Sequence, residues 1–181
     1  MKRYEVCWVR LDPVLRREMA KQRWNPMGII SPGSPGLYEE QYTKALRKHA
    51  DYAICNTAWF NPKSEMTKIV GAAFKKRHPK DLIDFHGTNV GYTFDAIMIA
   101  AAAFARAKSS DPKALADAIR TTNIRDNVST GPGIQFDAKG QNTRSFATVV
   151  QWQKQEMKVV YPQGLAVASP IMLPLPPWDR R

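Results

Sequence analysis

The stretch Asn89-Val-Gly-Tyr-Thr-Phe-Asp-Ala-Ile-Met-Ile-Ala-Ala-Ala-Ala-Phe-Ala-Arg106 decides how the rest of the chain is read. Phe94, Ile97, Met98, Ala101, Phe104 and Ala105 recur at helical spacing and form one apolar stripe. Ile99, Ala100, Ala102 and Ala103 fill the opposite side, so the helix is apolar nearly all round. Such a helix is expected inside an α/β domain, wedged between a sheet and other helices. A bilayer takes ~20 apolar residues to cross, and the run is read as too short for that. Asp95 falls in the first turn of this expected helix, where a carboxylate complements the helix dipole.

Helices are expected on both sides. Upstream, Asn61 and Pro62 read as cap and first residue of a helix carrying Met66, Ile69, Val70, Ala73 and Phe74, stopped at His78-Pro79. Downstream, Ser109-Ser-Asp-Pro112 is another cap with proline, ahead of a helix that buries Leu115, Ala118 and Ile119. Three helices thus follow one another with no strand between them.

The first sixty residues read differently. A short strand is expected over 4–9, a helix opening at Asp12-Pro13 and ending at Trp24-Asn25-Pro26, and a buried strand over 27–30. Residues 31–36 are an irregular loop rich in proline and glycine. A helix over 38–49 and a strand over 51–57 complete an alternation that implies parallel pairing. A loop that leaves such a strand and leads into a helix is where open α/β sheets bind ligands.

Beyond the three helices come a turn at 131–133, a short strand over 134–136 and a tight turn at 137–140. Residues 146–153 alternate around Val149, Val150 and Trp152 and are expected to pair with 157–161 as a β-hairpin. The tail over 171–178 carries Pro174, Pro176 and Pro177 and is read as extended.

The totals set outer limits. A chain of 181 residues with 44% hydrophobic and 24% charged residues can bury a core without a disulfide or metal staple. The net charge is +11, but the basic residues are scattered over predicted helix faces with no aromatic interleaving, so a solvated basic surface is preferred to a nucleic-acid site. Cys7 and Cys55 share no metal or redox spacing, and Cys55 reads as a small buried hydrophobe. The basic N-terminus has no apolar core region and no cleavage site, so no signal peptide is read there and the chain as written is expected to stay cytoplasmic. His49, His78 and His86 form no metal spacing, and Asp84 near His86 has no nucleophile beside it. No catalysis, metal, cofactor or membrane insertion is expected.

Five segments together carry a resemblance: 91–100 (Gly-Tyr-Thr-Phe-Asp-Ala-Ile-Met-Ile-Ala), 110–115, 131–142 (Gly-Pro-Gly-Ile-Gln-Phe-Asp-Ala-Lys-Gly-Gln-Asn), 159–162 and 174–178. In this order the chain, over roughly 12–178, resembles the back half of a type I periplasmic solute-binding protein of the branched-chain amino-acid group of ABC importers. The resemblance implies an incomplete α/β fold of Rossmann-like three-layer lobes with a C-terminal β-hairpin. Residues 1–60 would be part of the second lobe, 61–143 part of the first, and 144–181 the return to the second, with hinges at 59–62 and 143–145. It implies a small amino acid or amide as ligand, ABC permease subunits as partners and the periplasm as the location of an intact relative. It also implies that a front half with an exported leader is lacking here, leaving one cleft wall absent and sheet edges open.

By the same resemblance, Ser31, Gly33 and Ser34 would line the second-lobe wall, and Asn89, Val90 and Tyr92 would face the cleft from a helix start whose free amides suit a carboxylate. Some relatives place an acidic residue in the first of these loops, whereas Gly33 and Ser34 stand here. Tyr92 has an alternative reading as a core aromatic, and Trp59 is read as packing or as a cover over the ligand. Two further readings stay open: a cytoplasmic ligand-sensing regulator of the same fold, and a truncated, non-functional fragment.

Overall fold

The structure is a computed structural model that describes residues 12–33, 40–57, 61–81 and 83–180. The expected strand over 4–9, Ser34 and Trp59 lie outside the described residues. The chain divides into two compact units: one runs up to Thr57 and resumes at Thr148, and the other is Ala58–Ala147.

In the first unit, helix α1 (Asp12–Lys21) leads to strand β1 (Ile30–Pro32), helix α2 (Glu40–Leu46) with a 3-10 turn (Arg47–Ala50), and strand β2 (Ile54–Thr57). β1 and β2 pair in parallel, Ser31 opposite Cys55 and Pro32 opposite Asn56. The sequence placed this strand three residues early and read Ser31 and Pro32 as loop. Pro32 is tolerated because it ends a three-residue strand at one edge of the described sheet. The chain returns as β5 (Thr148–Gln153) and β6 (Glu156–Tyr161), a hairpin that lies antiparallel to β2 through β5. The resulting four-stranded sheet runs β1-β2-β5-β6. Lys154 and Gln155 both take positive φ (55° and 62°), the mirror-image turn that matches strand twist in a two-residue hairpin loop.

Alternating side chains fill the sheet face: Val150 and Trp152 on β5 are buried, and Tyr42 of α2 meets Trp152 with ring centroids 6.2 Å apart. Cys55 is buried on β2, as its setting suggested. A second cluster joins Met19 of α1, Ile29, Leu175 and Trp178. It holds the extended tail, whose Leu175 amide donates to the Met27 carbonyl and whose Trp178 indole donates to the Trp24 carbonyl at 2.7 Å.

In the second unit, α3 (Glu65–Arg77), α4 (Ile83–Ala107) and α5 (Pro112–Arg120) follow one another as expected, then β3 (Asn123–Ile124) pairs antiparallel with β4 (Ile134–Gln135). α5 is capped by Asp111 onto the Ala114 amide with Pro112 at its first position. The α3 cap, Ser64, lies three residues after the expected Asn61 cap. Asn61 instead makes a turn onto the Lys63 amide, and Ser64 caps the helix by accepting from Thr67.

The reading of the central helix needs two corrections. α4 begins at Ile83, and its stretch Asn89–Ala107 is long and apolar enough to cross a membrane by length and composition alone. Its buried side is also not the expected stripe. Gly91, Asp95 and Ala103 are buried, whereas Ile97 is 62% and Phe104 51% exposed. A helix apolar on every side carries no periodic signal for which side its neighbours cover.

Candidate functional site

Asp95, read from the sequence as a first-turn dipole partner, sits in the middle of α4 and is buried. Its carboxylate accepts from the Val128 amide at 2.9 Å, the Ser129 amide at 2.9 Å and the Asn127 side-chain amide at 3.1 Å. Gly91, one turn earlier on the same face, lets the loop come close: a Cβ there would stand 3.2 Å from Val128 Cγ1. The Asn127 amide also donates to the Ser129 carbonyl, so the loop is closed on itself over the carboxylate.

This loop ties down both ends of its unit. The Val128 carbonyl accepts from the Asn61 amide at 2.6 Å, close after the unit begins. Thr130 donates its hydroxyl to the Phe146 carbonyl at 2.8 Å, just before the unit ends. The second unit runs on to Ala147. Asp126 completes the arrangement at the start of α3, accepting from Ser64 Oγ at 2.6 Å and from the Met66 amide at 3.0 Å. At the far end of α4, Arg106 reaches the Ala118 carbonyl and Thr122 Oγ1, pinning α5.

The expected binding residues fall as follows. Ser31 is on β1 and buried, with no open surface in this structure. Gly33 is exposed at φ +68°, a left-handed turn that glycine adopts without strain, and its amide donates to the Asn56 carbonyl at 2.7 Å. This turn sits at the carboxyl ends of the parallel pair β1 and β2, the end at which open α/β sheets bind ligands. Asn56 is exposed at the same end and was not singled out from the sequence. Its only signal was a polar residue closing an apolar strand.

Asn89, Val90 and Tyr92 lie in the second and third turns of α4, so their amides are inside the helix and the free donors belong to 83–86. That part of the carboxylate argument fails. Their side chains remain: Asn89 is exposed, Val90 half-buried and Tyr92 44% exposed, so Tyr92 is not a core aromatic. Partial burial pushes the Tyr92 phenol above its ordinary value, so at neutral pH it is an uncharged group that can both donate and accept. Among the described residues no three His, Cys, Asp or Glu side chains gather as a metal site.

No family model matches the chain. Solved structures do. The chain is similar to a leucine binding protein, LivK, from Thermotoga maritima, with a TM-score of 0.63 and 16% identity over 86% of this chain and 42% of that one. It is similar to a type 1 periplasmic binding protein from Bordetella pertussis, with a TM-score of 0.59 and 19% identity over 86% and 44%. It is also similar to a fatty acid ABC transporter substrate-binding protein from Thermomonospora curvata, with a TM-score of 0.65 and 17% identity over 87% and 41%. The fold is the type I periplasmic-binding-protein fold, and the chain spans less than half the length of these structures.

Proposed function

We propose that this chain is the C-terminal portion of the solute-binding component of an ABC importer for branched-chain or related small amino acids or amides. One observation carries the reading. The chain leaves its first unit after Thr57, builds a self-contained second unit and re-enters the first at Thr148, within a fold shared with solute-binding proteins. Ligand contact is proposed for Gly33, Ser34 and Asn56 and for Asn89, Val90 and Tyr92, while Ser31, buried on β1, is left out. The role is binding rather than catalysis, with the importer's permease subunits as partners and the periplasm as the location of the intact protein.

The solutes named for two similar structures, leucine and a fatty acid, are both carboxylates with apolar tails. Residues 31–36 of this chain carry no acidic side chain to meet an ammonium, which favours recognition through the carboxylate. A neutral phenol such as Tyr92 and an exposed amide such as Asn89 suit that group.

Calorimetry tests the reading that the chain is a portion of the receptor. Each charged hydrogen bond not made costs about 1.5–3 kcal/mol, and ~1.4 kcal/mol is tenfold in affinity. Leucine, isoleucine, valine and a simple amide are expected to give no measurable binding to this chain alone. A monomer that binds any of them in the micromolar range overturns it.

A further inference from the structure

The first unit carries a depression of about 830 Å³ away from the residues assigned to the solute. Its floor is built around Trp178, which is buried, donates its indole N–H to Trp24 and its amide to Asn25 Oδ1, and stacks edge-on with His49 at 5.7 Å. Its lining carries Arg17, Lys21, Arg23, Lys48 and Arg180, against one carboxylate, Asp179. Arg17 is engaged with the Ala45 carbonyl and Lys21 with Glu18. The side chains of Arg23, Lys48 and Arg180 make no ion pair or hydrogen bond among the described residues.

Five cations that line one hollow repel each other, and in a concave wall the field is focused rather than dispersed. The C-terminus of α1 offsets roughly half a charge, well short of the excess. The tail that carries Arg180 to the hollow is held two residues earlier, where Trp178 is bonded across the chain to Trp24 and Asn25. We infer that this hollow binds a small multivalent anion, one with two or more phosphate or carboxylate groups. Multivalency follows from cations contributed by three separate segments, and small size from a volume within the ~300–1,000 Å³ of ordinary small-molecule sites. The inference does not depend on the transport reading.

Calorimetry on the full chain at fixed ionic strength tests it, with inorganic pyrophosphate in one arm, citrate in a second and sodium chloride as the reference. Saturable one-to-one binding with a sub-millimolar dissociation constant is expected for at least one anion, and the two arms separate phosphate from carboxylate preference. K48E/R180E is expected to weaken it roughly tenfold or more. R23N is a second probe that keeps the fold, because Arg23 sits at φ +52°, where asparagine is at home, and it is expected to weaken binding a few-fold. Heats no larger than sodium chloride, or binding unchanged in both variants, overturns the inference. So does duplex DNA or an acidic peptide that binds far more tightly than either anion and loses affinity in the same variants, since the surface would then serve a macromolecule.

Discussion

Asp95 Oδ1 accepts the Val128 amide at 2.9 Å, joining the middle of the longest helix to a loop thirty-three residues further along the chain. With Ser129 and Asn127 on the same carboxylate, the bond turns an α4 side chain into the organiser of the loop. The same loop then holds Asn61 and Phe146, close to where the chain enters and leaves its second unit.

D95A leaves two backbone donors and one side-chain donor buried without that acceptor. At about 1–3 kcal/mol for each buried group left unsatisfied, the loss is expected to exceed 2 kcal/mol. D95N keeps one acceptor oxygen and is expected to lose less. Urea denaturation of both variants checks the order, and D95A within experimental error of the parent would show the network to be incidental.

Glycines in the same region differ in what they tolerate. Gly131 and Gly133 take φ of 135° and 131°, and a Cβ would collide with the Arg144 and Ile124 carbonyls respectively. Gly140 at φ +81° has nothing near it. G140A is therefore expected to cost only about 1 kcal/mol of backbone strain, and G131A or G133A more, because backbone must move. Equal losses at the three positions in thermal melts would contradict this.

How much was legible follows from the same residues. Caps and breakers with local chemistry were readable: Asp111-Pro112, His78-Pro79, the β5–β6 hairpin and the parallel pairing at β2. The buried side of α4 was not, because apolar residues on all sides leave no phase, and the residue that marks that side is a carboxylate. Asp95 reads as a dipole partner because its donors, Asn127, Val128 and Ser129, lie far along the chain, and the α4 start is not legible because Asn89 and Gly91 resemble a helix beginning. At the candidate site, Gly33 is legible from its loop chemistry, whereas Ser31 reads as loop because the strand is only three residues long.

Asp51 gives a pH signature. Burial raises its carboxyl above the ordinary value of about 3.9, against the lowering effect of the Gln155 and Lys154 amides. The folded state then holds its proton more tightly than the unfolded state, so this group's contribution to stability is present below the unfolded pKa and is lost as pH rises through the folded one. D51N keeps the acceptor for the Gln155 amide, now at 2.7 Å, without the charge. The stability of D51N relative to the parent is expected to rise as pH increases from the ordinary carboxyl value through the raised one. A relative stability that falls over that range would reverse the assignment.

Ile97 and Phe104 expose apolar surface along α4, and Ile69 does so on α3. A second copy of this chain can cover such a face. Light scattering is expected to show self-association at high concentration that I97E/F104E reduces. A strictly monomeric parent, or association unchanged in I97E/F104E, would contradict this.

The central claim is that this chain continues another part of a two-lobed solute receptor. Reading the coding DNA upstream of the Met1 codon tests it most directly. The account predicts an in-frame extension that encodes an exported leader and an opening βαβ lobe. An in-frame DNA-binding region there would contradict it and make the chain part of a ligand-sensing regulator.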